Sequence, residues 1–218
     1  MTMDRIAHMP RFDMRRFLDE EDASLSVELV LILPLLLWGF LTVITIFDVF
    51  RARTLALKGN YAISDLLSRE TQSINSSYLT GIDSVFSYLT QGGDTTWVRV
   101  TQVYCVNDCA SNEDRELEVE WSRATAGQST YTTAEMRQSL LRSIPLLPSG
   151  QYAIVVETSV DYSPPFLPPL NVFYRDDNGA SRQINWGIMK RNTFHDIVVT
   201  EPRFAPRLCW SNVAGCAP

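Results

Sequence analysis

The sequence predicts an α+β fold in which a long N-terminal transmembrane helix continues past the membrane and lies on a mostly antiparallel β-sheet. Three observations predict it. A leucine-rich block without charges runs from Leu29 to Phe47. Apolar residues at three- and four-residue spacing follow it as far as Leu89, and short alternating segments begin at Trp97. All-round apolarity suits a helix in lipid, a 3.6-residue period a helix on a protein surface, and a two-residue period half-buried strands. The chain accordingly divides into a leader (1–23), a transmembrane helix (24–50), an extension of that helix (51–93) and an α+β domain (94–218).

The leader mixes Arg5, Arg11, Arg15 and Arg16 with the acidic run Asp19-Glu20-Glu21-Asp22. Such a mixture has too little apolar surface to fold alone. The block that follows holds about 19 uncharged residues, enough at a 1.5 Å rise to cover nearly all of a ~30 Å hydrocarbon layer. A cleaved secretory signal would have an apolar core of only about 7–15 residues with small residues after it. Here Asp48-Val49-Phe50-Arg51 follows, so the block reads as a single membrane span. Four basic residues precede it and Arg51, Arg53 and Lys58 follow, a slight bias toward a cytoplasmic N-terminus.

Beyond the span, Ile63, Leu66, Leu67, Ile74, Tyr78, Ile82, Val85, Phe86 and Leu89 mark the face of a long helix, in one piece or two. Gly59 and Gly81 weaken it locally, and Gly92-Gly93 end it. Strands are expected over Trp97–Tyr104, Glu116–Trp121, Tyr152–Tyr162 and His195–Thr200, with a short helix from Thr132 or Thr133 to Leu141. Pro164-Pro165 and Pro168-Pro169 frame a loop, and Asp176-Asp177-Asn178-Gly179 is a turn. Glu116, Glu118 and Glu120 alternate along one strand and read as a solvated face.

The four cysteines, Cys105, Cys109, Cys209 and Cys216, all follow the span. Their number and clustering favour disulfides, with reduced thiols and a zinc site as alternatives; the spacings do not suit zinc. Disulfides require the far side of the membrane, which settles the orientation expected here. Pairing 105–109 with 209–216 is one of three connectivities, and the Asn107-Asp108 turn would let the first pair meet.

With 19 basic and 25 acidic residues and no basic stripe, the composition excludes a nucleic-acid partner. The two histidines, His8 and His195, are too few for a hydrolase triad or a zinc-protease motif, and no glycine loop could cradle phosphate. No catalytic residue, metal, cofactor or small-molecule substrate is expected. The charged residue that needs a reason is Glu28, a carboxylate at the edge of the span. Pro34, six residues further on, removes one helical hydrogen bond and is expected to kink the helix.

The block Ser24-Leu25-Ser26-Val27-Glu28-Leu29-Val30-Leu31-Ile32-Leu33-Pro34-Leu35-Leu36 follows a charged leader and a small residue, Ala23. It resembles the processing region of the TadE/TadF/TadG-like pseudopilins of the tight adherence (Flp, type IV) pilus. The segment Glu201–Trp210 is a weaker match to that family's terminal region. The resemblance covers the first quarter to third of the chain. It implies a pilin-like helix packed on a sheet, cleavage between Ala23 and Ser24 by a prepilin peptidase, and a place in the inner membrane with the C-terminal domain in the periplasm. The family usually carries glycine before the cut, where this chain has Ala23. Glu28 would be the fifth mature residue and would face the new N-terminal amine of a neighbouring subunit, a pairing that makes two buried charges tolerable. Glu28 and Pro34 would then serve subunit assembly. The partners implied are the membrane, the peptidase, other pseudopilins, the Flp pilin and the pilus assembly platform. Without the resemblance, the same features suit a generic single-span, signal-anchored periplasmic binding domain.

Overall fold

A computed structural model describes residues 21–92, 95–164, 171–175, 179–185, 191–213 and 215–216. The leader residues 1–20, the loop prolines from Pro165 on, and Asp176, Asp177 and Asn178 of the expected turn lie outside the described residues. The chain divides into two compact units, Met1–Ile46 and Phe47–Pro218. The class is α+β, with a long apolar N-terminal helix and an antiparallel four-stranded sheet.

Helix α1 spans Glu21–Ser68 and contains Pro34 without a break in helical assignment. Within the first unit its side chains from Leu29 to Leu37 are exposed on every side; Leu35, for example, is 69% exposed. Glu28–Ser68 is long and apolar enough to cross a membrane. The polar groups inside the apolar stretch are satisfied locally: Thr42 and Thr45 donate to the carbonyls of Trp38 and Leu41 at 2.8 and 2.7 Å. Back-bonding of this kind leaves no hydroxyl in search of water.

In the second unit, the rest of α1 and helix α2 (Ser76–Thr90) cover one face of a sheet ordered β2-β1-β3-β6. The strands are β1 (Thr96–Asn107), β2 (Glu116–Ala124), β3 (Tyr152–Tyr162) and β6 (Asn192–Thr200), and every pairing among them is antiparallel. Strands β4 (Asn171–Arg175) and β5 (Ser181–Asn185) form a separate hairpin across the expected turn. Ala56, Ile63 and Leu67 of α1 and Leu79, Ile82 and Phe86 of α2 share a core with Val98, Val100, Ile154 and Val156. The opposite face carries a second core that the sequence does not announce. Val103, Cys105, Ala153 and Val155 pack there with Leu117 and with Met136, Leu140, Ile144 and Leu147 from helix α3 (Thr133–Ser139) and the turns after it. Covered on both sides, β3 is buried continuously from Ala153 to Val160 instead of alternating.

The helical extension comes in two pieces, and the break lies at neither Gly59 nor Gly81. It falls between Ser68 and Ser76, where the Glu70 carboxylate accepts from the backbone N–H groups of Thr71 and Gln72 and from the Tyr78 hydroxyl. Asn75 then caps α2 through its side chain. A Cβ at Gly59 would come within 3.0 Å of the Phe86 ring, whereas Gly81 faces open space. Helix α2 stops at Thr90, before the glycine pair, and Gln91 rather than a glycine takes the left-handed cap, at φ 57°. Gly92 serves close approach instead: a Cβ there would sit 2.5 Å from Val160. Helix α3 opens with a capping box between Thr132 and Glu135 and ends at Ser139, two residues short of Leu141.

Candidate functional site

Of the residues that the sequence singles out, Ala23, Ser24, Glu28 and Pro34 all fall on the first turns of α1. The Ala23–Ser24 junction is helical backbone just over one turn before Glu28, and the Glu28 side chain is exposed. Pro34 has no N–H to donate to Val30, yet the helix runs through it. A carboxylate followed directly by an uncharged, all-round apolar helix has two chemical uses: it can stay in the headgroup layer, or it can enter an apolar bundle opposite a cation.

The cysteines separate into two kinds. Cys105 and Cys109 form a disulfide across the Asn107-Asp108 turn, with Asp108 in the left-handed region at φ 49°. Cys209 and Cys216 are not bonded to each other in this structure. The three glutamates of β2 are not a plain solvated face. Glu116 accepts from the Asn107 amide, Glu118 from the Tyr104 hydroxyl at 2.5 Å, and Glu120 pairs with Arg207 at 2.6 Å. A register shift opposite Gln102 and Val103 leaves Glu120 out of the ladder and beside the C-terminal segment. Burial pushes its carboxyl up, against the pull of Arg207.

The densest set of chemistry-bearing groups is one that the sequence reading missed. Arg99 on β1 and Glu157 on β3 are register partners, both buried, with Nε to Oε2 at 2.6 Å. The Arg99 guanidinium lies 4.0 Å from the Tyr131 ring centroid and 5.3 Å from that of Trp97, and it also donates to the Tyr131 hydroxyl. The second carboxylate oxygen of Glu157 accepts from Tyr131 at 3.3 Å and faces His195 Nε2 at 3.6 Å. Burial, and then the neighbouring Glu157 charge, raise the Tyr131 hydroxyl above its ordinary value. With both oxygens of Glu157 already engaged, the cluster is arranged to tie β1, β3 and β6 to the 129–131 loop. The available signal was a charged residue in the middle of each of two apolar strands, since such residues are buried only in pairs.

Near the start of the second unit, Asp48, Arg51, Thr90, Asp161, Tyr162 and Arg191 line a cavity of about 680 Å³. Its carboxylates have partners: Tyr162 donates to Asp48 at 2.6 Å, and Thr193 donates to Asp161 at 2.6 Å. Among the described residues, no group of three or more His, Cys, Asp and Glu side chains could hold a metal ion.

No family model matches the chain, and no characterised protein or solved structure matches it at a significant level.

Proposed function

We propose that this chain is a minor pseudopilin, a structural and assembly component of a tight adherence (Flp) pilus machine, processed by a prepilin peptidase and without catalytic activity of its own. The observation that carries this reading is the build of α1. One helix holds a potential cleavage junction at Ala23–Ser24, a carboxylate at Glu28, an apolar stretch exposed on all sides, and then a stretch packed on an antiparallel sheet. A subunit drawn out of a membrane into a filament needs those parts in that order. The charged leader has to go before the apolar stretch can enter a helical bundle. Its removal takes away four basic and six acidic residues, leaving 19 − 4 = 15 basic and 25 − 6 = 19 acidic. The amine freed at Ser24 would then meet Glu28 of a neighbouring subunit, where apolar surroundings make an ion pair strong and an unpaired charge costly. On this reading the chain spans the inner membrane once, with the folded unit in the periplasm. Its partners are the peptidase, the Flp pilin, other pseudopilins and the assembly platform.

The test separates processing from assembly. Mass spectrometry of the protein extracted from membranes of cells with an active prepilin peptidase should find Ser24 at the N-terminus. Replacing Ala23 with a bulky residue should leave a precursor heavier by about 2–3 kDa, at ordinary residue composition. Glu28→Ala should be cut normally and fail to support pili. An intact Met1 in those cells would contradict the proposal and leave a signal-anchored envelope domain as the better account.

A further inference from the structure

We propose that Cys209 and Cys216 form a second disulfide, which closes a C-terminal strap over the junction between α1 and α2. The strap is made by residues 203–213 and 215–216. It starts where the Arg203 N–H donates to the carbonyl of Ser68, the last residue of α1, at 2.7 Å. Leu208 and Trp210 are buried in the core that α1 and α2 share with the sheet. Leu208 is held through both of its backbone groups: its N–H donates to Gln102 Oε1, and its carbonyl accepts from Trp121 Nε1, each at 3.1 Å. The strap then pairs with the α1–α2 junction. Ile74 donates to the Cys209 carbonyl at 2.8 Å, and Ser211 donates to the Ile74 carbonyl at 2.9 Å.

After Trp210 the chain folds back on itself. Val213 donates to the Trp210 carbonyl at 3.0 Å, and Cys216 donates to the Val213 carbonyl at 3.2 Å. Arg207, anchored on Glu120, reaches the Gly215 carbonyl and holds the returning end in place. These turns bring the two thiols into hydrogen-bonding contact, with Cys216 buried and Cys209 half-buried. The sequence leaves three connectivities open. The Cys105–Cys109 bridge and this contact together select the arrangement with two local bonds.

The docked strap also constrains when the bond forms. Burial first, and then the hydrogen bond with Cys216, push the Cys209 thiol up to about 11, so docked Cys209 offers little thiolate at neutral pH. Cys216 is buried once the strap is seated, so oxidation belongs to folding, before docking, and its oxidant is a thiol–disulfide oxidoreductase in its disulfide form. One cysteine thiolate attacks a sulfur of that disulfide to give a mixed disulfide. The second thiolate then displaces the oxidoreductase as a dithiol, and two electrons and two protons pass to it. The inference needs an oxidising compartment but does not rest on the pilus reading.

The chain carries its own assay. Trypsin cuts after Arg99, Arg115 and Arg207, so Cys105 and Cys109 fall on the peptide Val100–Arg115, and Cys209 and Cys216 fall on Leu208–Pro218. The full-length protein is extracted with iodoacetamide present from lysis, then denatured and digested without reductant. Leu208–Pro218 should appear unalkylated and two hydrogens lighter than the dithiol, and take up two alkyl groups only after reduction. Recovery of that peptide alkylated at both cysteines, or joined to Val100–Arg115, would overturn the proposal. Cys209→Ser should speed native trypsin cleavage at Arg207 several-fold over wild type. Equal rates would overturn the closing role, and the peptide map decides the bond even if the variant does not fold.

Discussion

Two stretches of one helix differ in whether they bury a side against the rest of the protein. Between residues 28 and 46 of α1, leucine, isoleucine and tryptophan project outward all round, and the hydroxyls of Thr42 and Thr45 bond to their own backbone. From Phe47 onward one side of the helix is buried, although Phe47, Phe50, Tyr61 and Leu66 stay exposed. Ala56, Ile63 and Leu67 are buried, while Arg51, Thr54 and Lys58 are exposed. Two polar side chains, Asn60 and Ser64, are also buried there, with no hydrogen-bond partner among the described residues. Both stretches contain good helix formers, so helix propensity does not distinguish them. The second stretch lies on one face of a protein, while the first is long and apolar enough to cross a membrane.

Substitutions that shorten a side chain should break the symmetry between the stretches most strongly. Phe86→Ala empties the core that α1 and α2 share with the sheet and should cost about 3–5 kcal/mol in denaturant unfolding of the full chain in detergent. Leu36→Ala, in the exposed apolar stretch, should leave the same transition within about 0.5 kcal/mol of wild type. Comparable losses from the two would erase the distinction. Glycines sharpen it at a smaller scale. Gly59→Leu drives a side chain into the Phe86 ring and should cost about 1–3 kcal/mol. Gly81→Ala, with nothing within 4 Å of its Cβ, should stabilise the folded unit by about 0.5–1 kcal/mol through helix propensity. Gly39→Ala, equally open, should not move that unit's unfolding at all.

The smallest expected effect is electrostatic. Hydrogen bonds from Gln72, Tyr78 and Thr71 hold the Glu70 carboxyl below its usual 4.5, with burial opposing them. A depressed folded value means that its contribution is complete above the unfolded carboxylate range and is lost as pH falls through the folded value. Melting temperature between about pH 5 and pH 3 should therefore fall less steeply for Glu70→Gln than for wild type. Parallel curves would show that this carboxylate does not hold the break between α1 and α2.

The parts legible in the sequence are those with a local signature. The uncharged run marks the apolar helix, alternation marks β1 and β2, and Thr132 marks the start of α3. The Asn107-Asp108 turn likewise allows the Cys105–Cys109 bond. What escapes notice depends on partners distant in sequence. A charge such as Arg99 reads as a surface residue until Glu157 is set opposite it 58 residues later. Glu120 alternates in phase with Glu116 and Glu118, and only the bulge, a property of the strand pair, turns it toward Arg207. The strap has no period because its residues bond to a helix junction, a strand and another turn in succession.

That the two stretches of α1 serve two phases, with the folded unit across the membrane, can be tested with one cysteine. Tyr88 is 84% exposed on α2, well clear of both native cysteine pairs in sequence. Tyr88→Cys should react with a membrane-impermeant maleimide in cells whose outer membrane alone has been permeabilised, to the same extent as after full lysis and above the wild-type background. Labelling that appears only after lysis would place the folded unit in the cytoplasm and contradict the account.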